Sequence, residues 1–200
     1  MQRLNQIVFS SFMEMGPLLE GRKPDCRYAV MVTQTDADQF EIPVRCEDTV
    51  DIIRIAFFKN ELSGAIAFAV ELLQKGYEVF LQPMATFMYT PEELSGMLRK
   101  INQIKPKAVY LVDSFSNLYP KDIRRIADNM LTLLEEVIAF GFHAHNNMQL
   151  AFANVSEFLN SDTTRELYVD GSIYGMGRGA GNAPVELLME YLNRRGAAYN

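Results

Sequence analysis

The 200-residue sequence predicts a parallel α/β fold, and within that class a (β/α)8 TIM barrel present as six strands. Three observations lead there. Short β-branched or aromatic runs alternate with longer stretches of helical periodicity. Those runs are nearly continuous in apolar character, as strands buried on both faces must be. At strand after strand the first polar group appears at the carboxyl end: Thr33-Gln34, Lys59-Asn60, Gln82, Asp113-Ser114, His143 to Asn147 and Asp170 to Ser172. An open doubly wound sheet would share the first two features. The third favours a barrel, which gathers those ends into one ring where an active site sits.

Taken in order, an amphipathic segment precedes Glu20, and a first strand is expected over Tyr28–Thr33. Strands at Val50–Phe58, Tyr77–Leu81, Ala108–Asp113, Val137–His143 and Leu167–Asp170 follow. Helices are expected over Glu61–Gln74, Pro91–Ile104, Pro120–Leu134, Met148–Leu159 and Ala183–Asn193. Thr90 before Pro91, Glu92 and Glu93 is an N-cap with proline in the first turn and two carboxylates at the positive end of the helix dipole. Tyr119-Pro120-Lys121-Asp122 repeats the proline device. Six strands are two short of a closed barrel, and the missing ones are expected to be the first two. The chain therefore reads as a single partial barrel domain over residues 1–200, either a fragment of a longer chain or one completed by another segment or subunit. A homo-oligomer is one such possibility, because uncovered edges invite association.

Composition removes several classes of function. The chain is 48% hydrophobic and 22% charged, the balance of an ordinary globular domain. Its formal charge is −6, with lysines and arginines scattered, so the basic footprint of a nucleic-acid binder is missing. Apolar runs such as Val137–Phe142 fall far short of the roughly 20 residues of a membrane span. No leader pattern opens the sequence, so a cytoplasmic location is expected. In that compartment Cys26 and Cys46 are expected as free thiols, with a disulfide as the alternative.

Gly141-Phe142-His143-Ala144-His145-Asn146-Asn147 is the most informative stretch. Residues two apart on a strand share a face and stand about 6.5 Å apart, so both imidazoles can meet one cation. They are the only two histidines in the chain. Phe140, Phe142 and Ala144 would then face the helices, while Ala139 and Gly141 leave room inside. Two ligands do not complete a site, and a carboxylate or amide oxygen is needed besides. The loop from Asp170 to Asn182 is dense in glycine but lies too late in the chain for a dinucleotide fingerprint. It suits the last loop of a barrel, where backbone N–H groups can approach an anion or an ordered ligand. Asn182 is either the N-cap of the following helix or a further metal ligand. Arg54 is either an inward-facing anion partner or a structural ion pair. Gln82 lines the interior, with a hydrogen bond to substrate as its functional alternative.

His143 to Asn147, then Val169-Asp170-Gly171-Ser172 and Gly175 to Ala183, resemble the last two strands of the metal-dependent aldolase and lyase barrels. That family includes 4-hydroxy-2-oxovalerate aldolase, 3-hydroxy-3-methylglutaryl-CoA lyase and the isopropylmalate synthases, and the aldolase branch is the nearest. Asp113-Ser114-Phe115 is similar to its strand-six motif, with Ser116 where glycine is usual, and Ile53-Arg54-Ile55 resembles its strand-four arginine. The resemblance implies a divalent ion, usually magnesium or manganese, held by His143 and His145, with Asn182 a ligand in some branches. It implies that Ser114 contacts a small-molecule substrate, a 2-oxo acid such as pyruvate or an acyl thioester, with Arg54 and Gln82 beside it. The expected chemistry is cleavage or formation of a carbon–carbon bond through a metal-stabilised enolate. Claisen-type acyl transfer and a non-catalytic barrel remnant are the alternatives. The family's first-strand Arg-Asp pair does not occur before Tyr28, so the main acid/base group is expected outside these residues. A Schiff-base aldolase would have to use Lys59, the one lysine at a strand's carboxyl end.

Overall fold

The computed structural model describes residue 9 and residues 11–33 and 41–199. Gln34, expected at the end of the first strand, lies outside them. The strands are β1 (Ala29–Thr33), β2 (Ile52–Phe57), β3 (Glu78–Pro83), β4 (Ala108–Asp113), β5 (Ala139–Ala144) and β6 (Leu167–Val169). They form one parallel sheet whose spatial order is the chain order. The helices are α1 (Gly16–Leu19), α2 (Leu62–Gln74), α3 (Pro91–Ile104), α4 (Pro120–Leu133), α5 (Ala151–Phe158) and α6 (Val185–Arg194). Among the described residues no helix is long and apolar enough to cross a membrane. Cys26 and Cys46 are exposed free thiols.

The sheet is curled, and side-chain reach demonstrates it. Four strand spacings separate β2 from β6, about 19 Å across a flat sheet. Yet Arg54 of β2 is ion-paired with Asp170, immediately after β6. The rings of Phe80 in β3 and Tyr168 in β6 lie 4.9 Å apart. Alternation along each strand then divides the core in two. Ile53, Ile55, Val79, Leu81, Val109, Leu111, Phe140 and Phe142 point outward into a large cluster shared with the helices. Ile52, Phe80, Ala108, Tyr110, Val112 and Ala139 point inward and form a smaller cluster with Tyr168. The inner cluster is incomplete at β1, where Met31, in register with Arg54, is 49% exposed.

Several boundaries differ from expectation for local reasons. The fourth helix was expected from Met148 but begins at Ala151. Gln149 has φ 59°, and the Asn146 side chain accepts from the Ala151 N–H at 3.1 Å, so the turn is held outside helical geometry. The last helix begins at Val185 rather than Ala183, because Pro184 is extended and stands at the N-cap position. Asn182 is therefore not the helix N-cap. The segment before Glu20 is a short 3-10 turn leading into a four-residue helix. The α3 start matches its reading: Thr90 Oγ1 accepts from Glu93 N at 3.2 Å, and the Glu93 carboxylate accepts from Thr90 N at 2.9 Å.

Loops at the carboxyl edge are braced by side chains. The β3–β4 ladder has only two register pairs, and Thr86 Oγ1 takes over by accepting from Val112 N at 3.0 Å while donating to Pro83 O at 2.9 Å. Buried Asp113 accepts from Asn117 N at 2.9 Å and closes the turn into α4.

Candidate active site

The carboxyl ends of β2, β3, β5 and β6 bring five polar side chains together on the inner face. Arg54 and Gln82 come from β2 and β3, His143 from β5, His145 from just past it, and Asp170 from just past β6. Phe142 pairs with Val169 across the β5–β6 ladder, which sets His143 beside Asp170. His143 Nδ1 lies 2.7 Å from Asp170 Oδ2. The same carboxylate oxygen accepts from Arg54, and Tyr110 Oη donates to Oδ1 at 3.4 Å. The Arg54 guanidinium lies 5.1 Å above the Tyr110 ring. With the Gln82 amide turned so that its oxygen faces Arg54, that oxygen accepts from Nε at 2.9 Å. Gly141 makes space for this arrangement: a Cβ there would overlap the Tyr110 ring.

The two imidazoles share the inner face as the spacing predicts. Their ring centroids are 5.0 Å apart and the rings are nearly perpendicular. Burial, together with His143 and Arg178 nearby, lowers the His145 pKa and favours the neutral ring, the form that ligates metals. Burial pushes the Asp170 carboxyl up, but the His143 hydrogen bond and the Arg54 charge outweigh it and hold its pKa below the ordinary value. Burial raises the Tyr110 hydroxyl far above its usual range, so it stays protonated as a donor.

Asn182 is brought to the same place by its backbone. It forms an isolated antiparallel bridge with His145, and Asn146 N donates to Gly181 O at 2.8 Å. Its Nδ2 donates to Met176 O at 3.0 Å, whereas its Oδ1 is buried without a partner. Among the described residues no group of three His, Cys, Asp or Glu side chains is placed to hold a metal.

The glycine loop supports Asn182 more than it frames an anion. Asn182 N donates to Gly175 O at 2.9 Å and Gly181 N to Arg178 O at 3.0 Å, so these N–H groups are spent inside the loop. Gly181, at φ 90°, is required because a Cβ would overlap the Gly175 carbonyl. Ser114 stands at the rim, where its Oγ accepts from Ala85 N at 2.8 Å. Lys59 is turned away toward α3, where Glu93 oxygens hold its ammonium at 2.9 and 3.0 Å.

Asp170 and Tyr110 are site residues that the sequence reading did not assign. The signal for Asp170 was present, since it continues the inward alternation of Tyr168 at a strand's end. Tyr110 is the lone hydroxyl among the aliphatic residues of β4, and its partner lies two strands away.

A six-stranded parallel β/α sheet curled around a histidine-bearing site at its carboxyl edge defines the class: a β/α-barrel protein with its chemistry at the strand ends. The chain belongs to the HMGL-like family, which it matches over residues 13–200. It is 30% identical to the 4-hydroxy-2-oxovalerate aldolase of Thermomicrobium roseum over 194 residues, 96% of this chain and 53% of that protein. It is 31% identical to the oxaloacetate decarboxylase of Mycobacterium tuberculosis over 149 residues, 74% of this chain and 43% of that protein. The chain thus spans about half the length of these relatives. In fold it resembles the HMG-CoA lyase of Bacillus subtilis, with a TM-score of 0.72, 14% identity, and coverage of 94% of this chain and 73% of that one. It also resembles the carboxyl transferase domain of Rhizobium etli pyruvate carboxylase, with a TM-score of 0.73, 11% identity, and coverage of 92% and 33%.

Proposed function

We propose that this chain is the site-bearing part of a divalent-metal-assisted aldolase or lyase that makes or breaks a carbon–carbon bond beside the carbonyl of a 2-oxo acid. The observation that carries the reading is the convergence of two imidazoles, 5.0 Å apart, next to a buried amide oxygen with no partner. An unpaired buried oxygen costs about 1 to 3 kcal/mol, and a cation would repay it. Two nitrogens and one neutral oxygen suit a borderline ion such as manganese better than a hard one such as magnesium, with positions left open for substrate. His143, His145 and Asn182 would hold it. When bound, the ion supplies Lewis-acid polarisation of a carbonyl oxygen.

The chain's own residues do the rest. Arg54 over the Tyr110 ring, with Gln82 and Asp170, forms a polar floor beside the packed rings of Phe80 and Tyr168. Ser114 accepts from Ala85 N but keeps its own O–H to offer a substrate oxygen. Gln82, its oxygen taken by Arg54, keeps its amide N–H donors. Two relatives are named for 2-oxo acids, oxaloacetate and 4-hydroxy-2-oxovalerate, which supports that substrate class over an acyl thioester.

Calorimetric titration of the chain with manganese tests the site. One saturable site is expected, lost in both His143→Ala and His145→Ala. Unchanged binding in the two variants overturns the assignment.

A further inference from the structure

We propose that Asp170 is a positioning residue that fixes which nitrogen of His143 faces the mouth of the sheet, and that Arg54 is the clamp on Asp170 rather than a receptor for a substrate anion. A carboxylate can only accept, so the 2.7 Å contact puts a proton on Nδ1 of His143, and in the neutral ring that leaves the Nε2 lone pair free. The contact also fixes the plane of the ring. Asp170 is in turn held by Arg54 on Oδ2 and by the Tyr110 hydroxyl on Oδ1. Arg54 has little freedom to leave. Its guanidinium meets Asp170 and the turned Gln82 amide, lies over the Tyr110 ring at 5.1 Å, and belongs to a side chain only 20% exposed. An arginine neutralised by a half-buried carboxylate offers little net charge to an anion, whereas a carboxylate gripped from two sides makes a rigid acceptor. The series Gln82–Arg54–Asp170–His143 runs from β3 through β2, across the curl to the end of β6 and on to β5, so the curvature of the sheet is built into the orientation of one imidazole.

The part of this inference that concerns metal affinity rests on the proposed function; the part that concerns the tautomer does not. The test compares two variants in one background. Arg54→Met removes the clamp's charge, and Asp170→Leu or Asp170→Asn is then introduced, so that both double variants are neutral and nearly isosteric and differ in whether residue 170 can accept. Ring nitrogen chemical shifts from long-range proton–nitrogen spectra of metal-free protein report the tautomer. In the wild type His143 is expected as the Nδ1–H form. The Asn variant should retain that form, while the Leu variant should show a mixture and bind manganese about 10- to 100-fold more weakly than the Asn variant. Equal tautomer populations in the two variants overturn the proposal. So does an Nε2–H tautomer in the wild type, which needs no variant to fold. A wild type that binds no manganese while the tautomer contrast holds removes the metal reading and leaves the positioning role standing.

Discussion

Ser116 sits fully buried at φ 56°, a left-handed backbone conformation that ordinary side chains avoid. Its hydroxyl accepts from Met148 N at 3.2 Å, tying the β4–α4 loop to the β5–α5 loop beside the site. A glycine would relax the backbone but lose the tie, and an alanine would lose the tie and keep the strain. Ser116→Ala is therefore expected to be less stable than Ser116→Gly by about 1 kcal/mol in urea unfolding, and the reverse order would remove the strain argument. Residue by residue, what could be read in the sequence depended on whether the physics was local. The histidine pair was legible because a strand's period of two is local. Asp170 was legible as a polar strand end but not as His143's partner, because that pairing needs the β5–β6 register. The two readings of Arg54 differed only in what lay across the curl, which no local pattern encodes.

At the level of elements, α3 carries its own start signal, and Thr90→Ala should cost about 1 kcal/mol by losing the reciprocal cap. Thermal denaturation measures it, and no loss would mean that tertiary packing alone sets the helix start. β5 is governed instead by what faces it: Gly141→Ala would drive a methyl into the Tyr110 ring and should destabilise by about 1 to 3 kcal/mol through overpacking. A companion Tyr110→Phe change should not relieve that clash, since the ring and not the hydroxyl is in the way. Helix existence and type were legible from periodicity. The starts of α5 and α6 were not, because side-chain capping by Asn146 and the extended Pro184 override a periodicity that runs on through them.

For the whole molecule, the end of the sheet opposite the site is tied by one carboxylate. Asp51 accepts from Tyr28 N at 2.9 Å and is paired with Arg22 at 2.5 Å and Arg45 at 2.9 Å. Burial raises its pKa, but these partners together lower it below the ordinary carboxylate value. Its stabilisation is then complete above the unfolded pKa of about 3.9 and is lost as pH falls through the lower folded value. Asp51→Asn should cost about 1 to 2 kcal/mol at neutral pH, with the difference from wild type shrinking below pH 4 in acid titrations of stability. A constant difference across that range would show that the loss is not ionic. The inner face is graded in the same way: Met31→Thr, at the half-exposed rim, should change stability by less than about 0.5 kcal/mol.

Because spatial order follows chain order, each strand among the described residues is hydrogen-bonded to the one made before it and the one made after. Neighbours in space are neighbours in time as the polypeptide leaves the ribosome, and each new strand finds its template already waiting. A sheet assembled this way grows from one side like a staircase laid tread upon tread, and the Arg54–Asp170 ion pair then fastens its last strand back to the second.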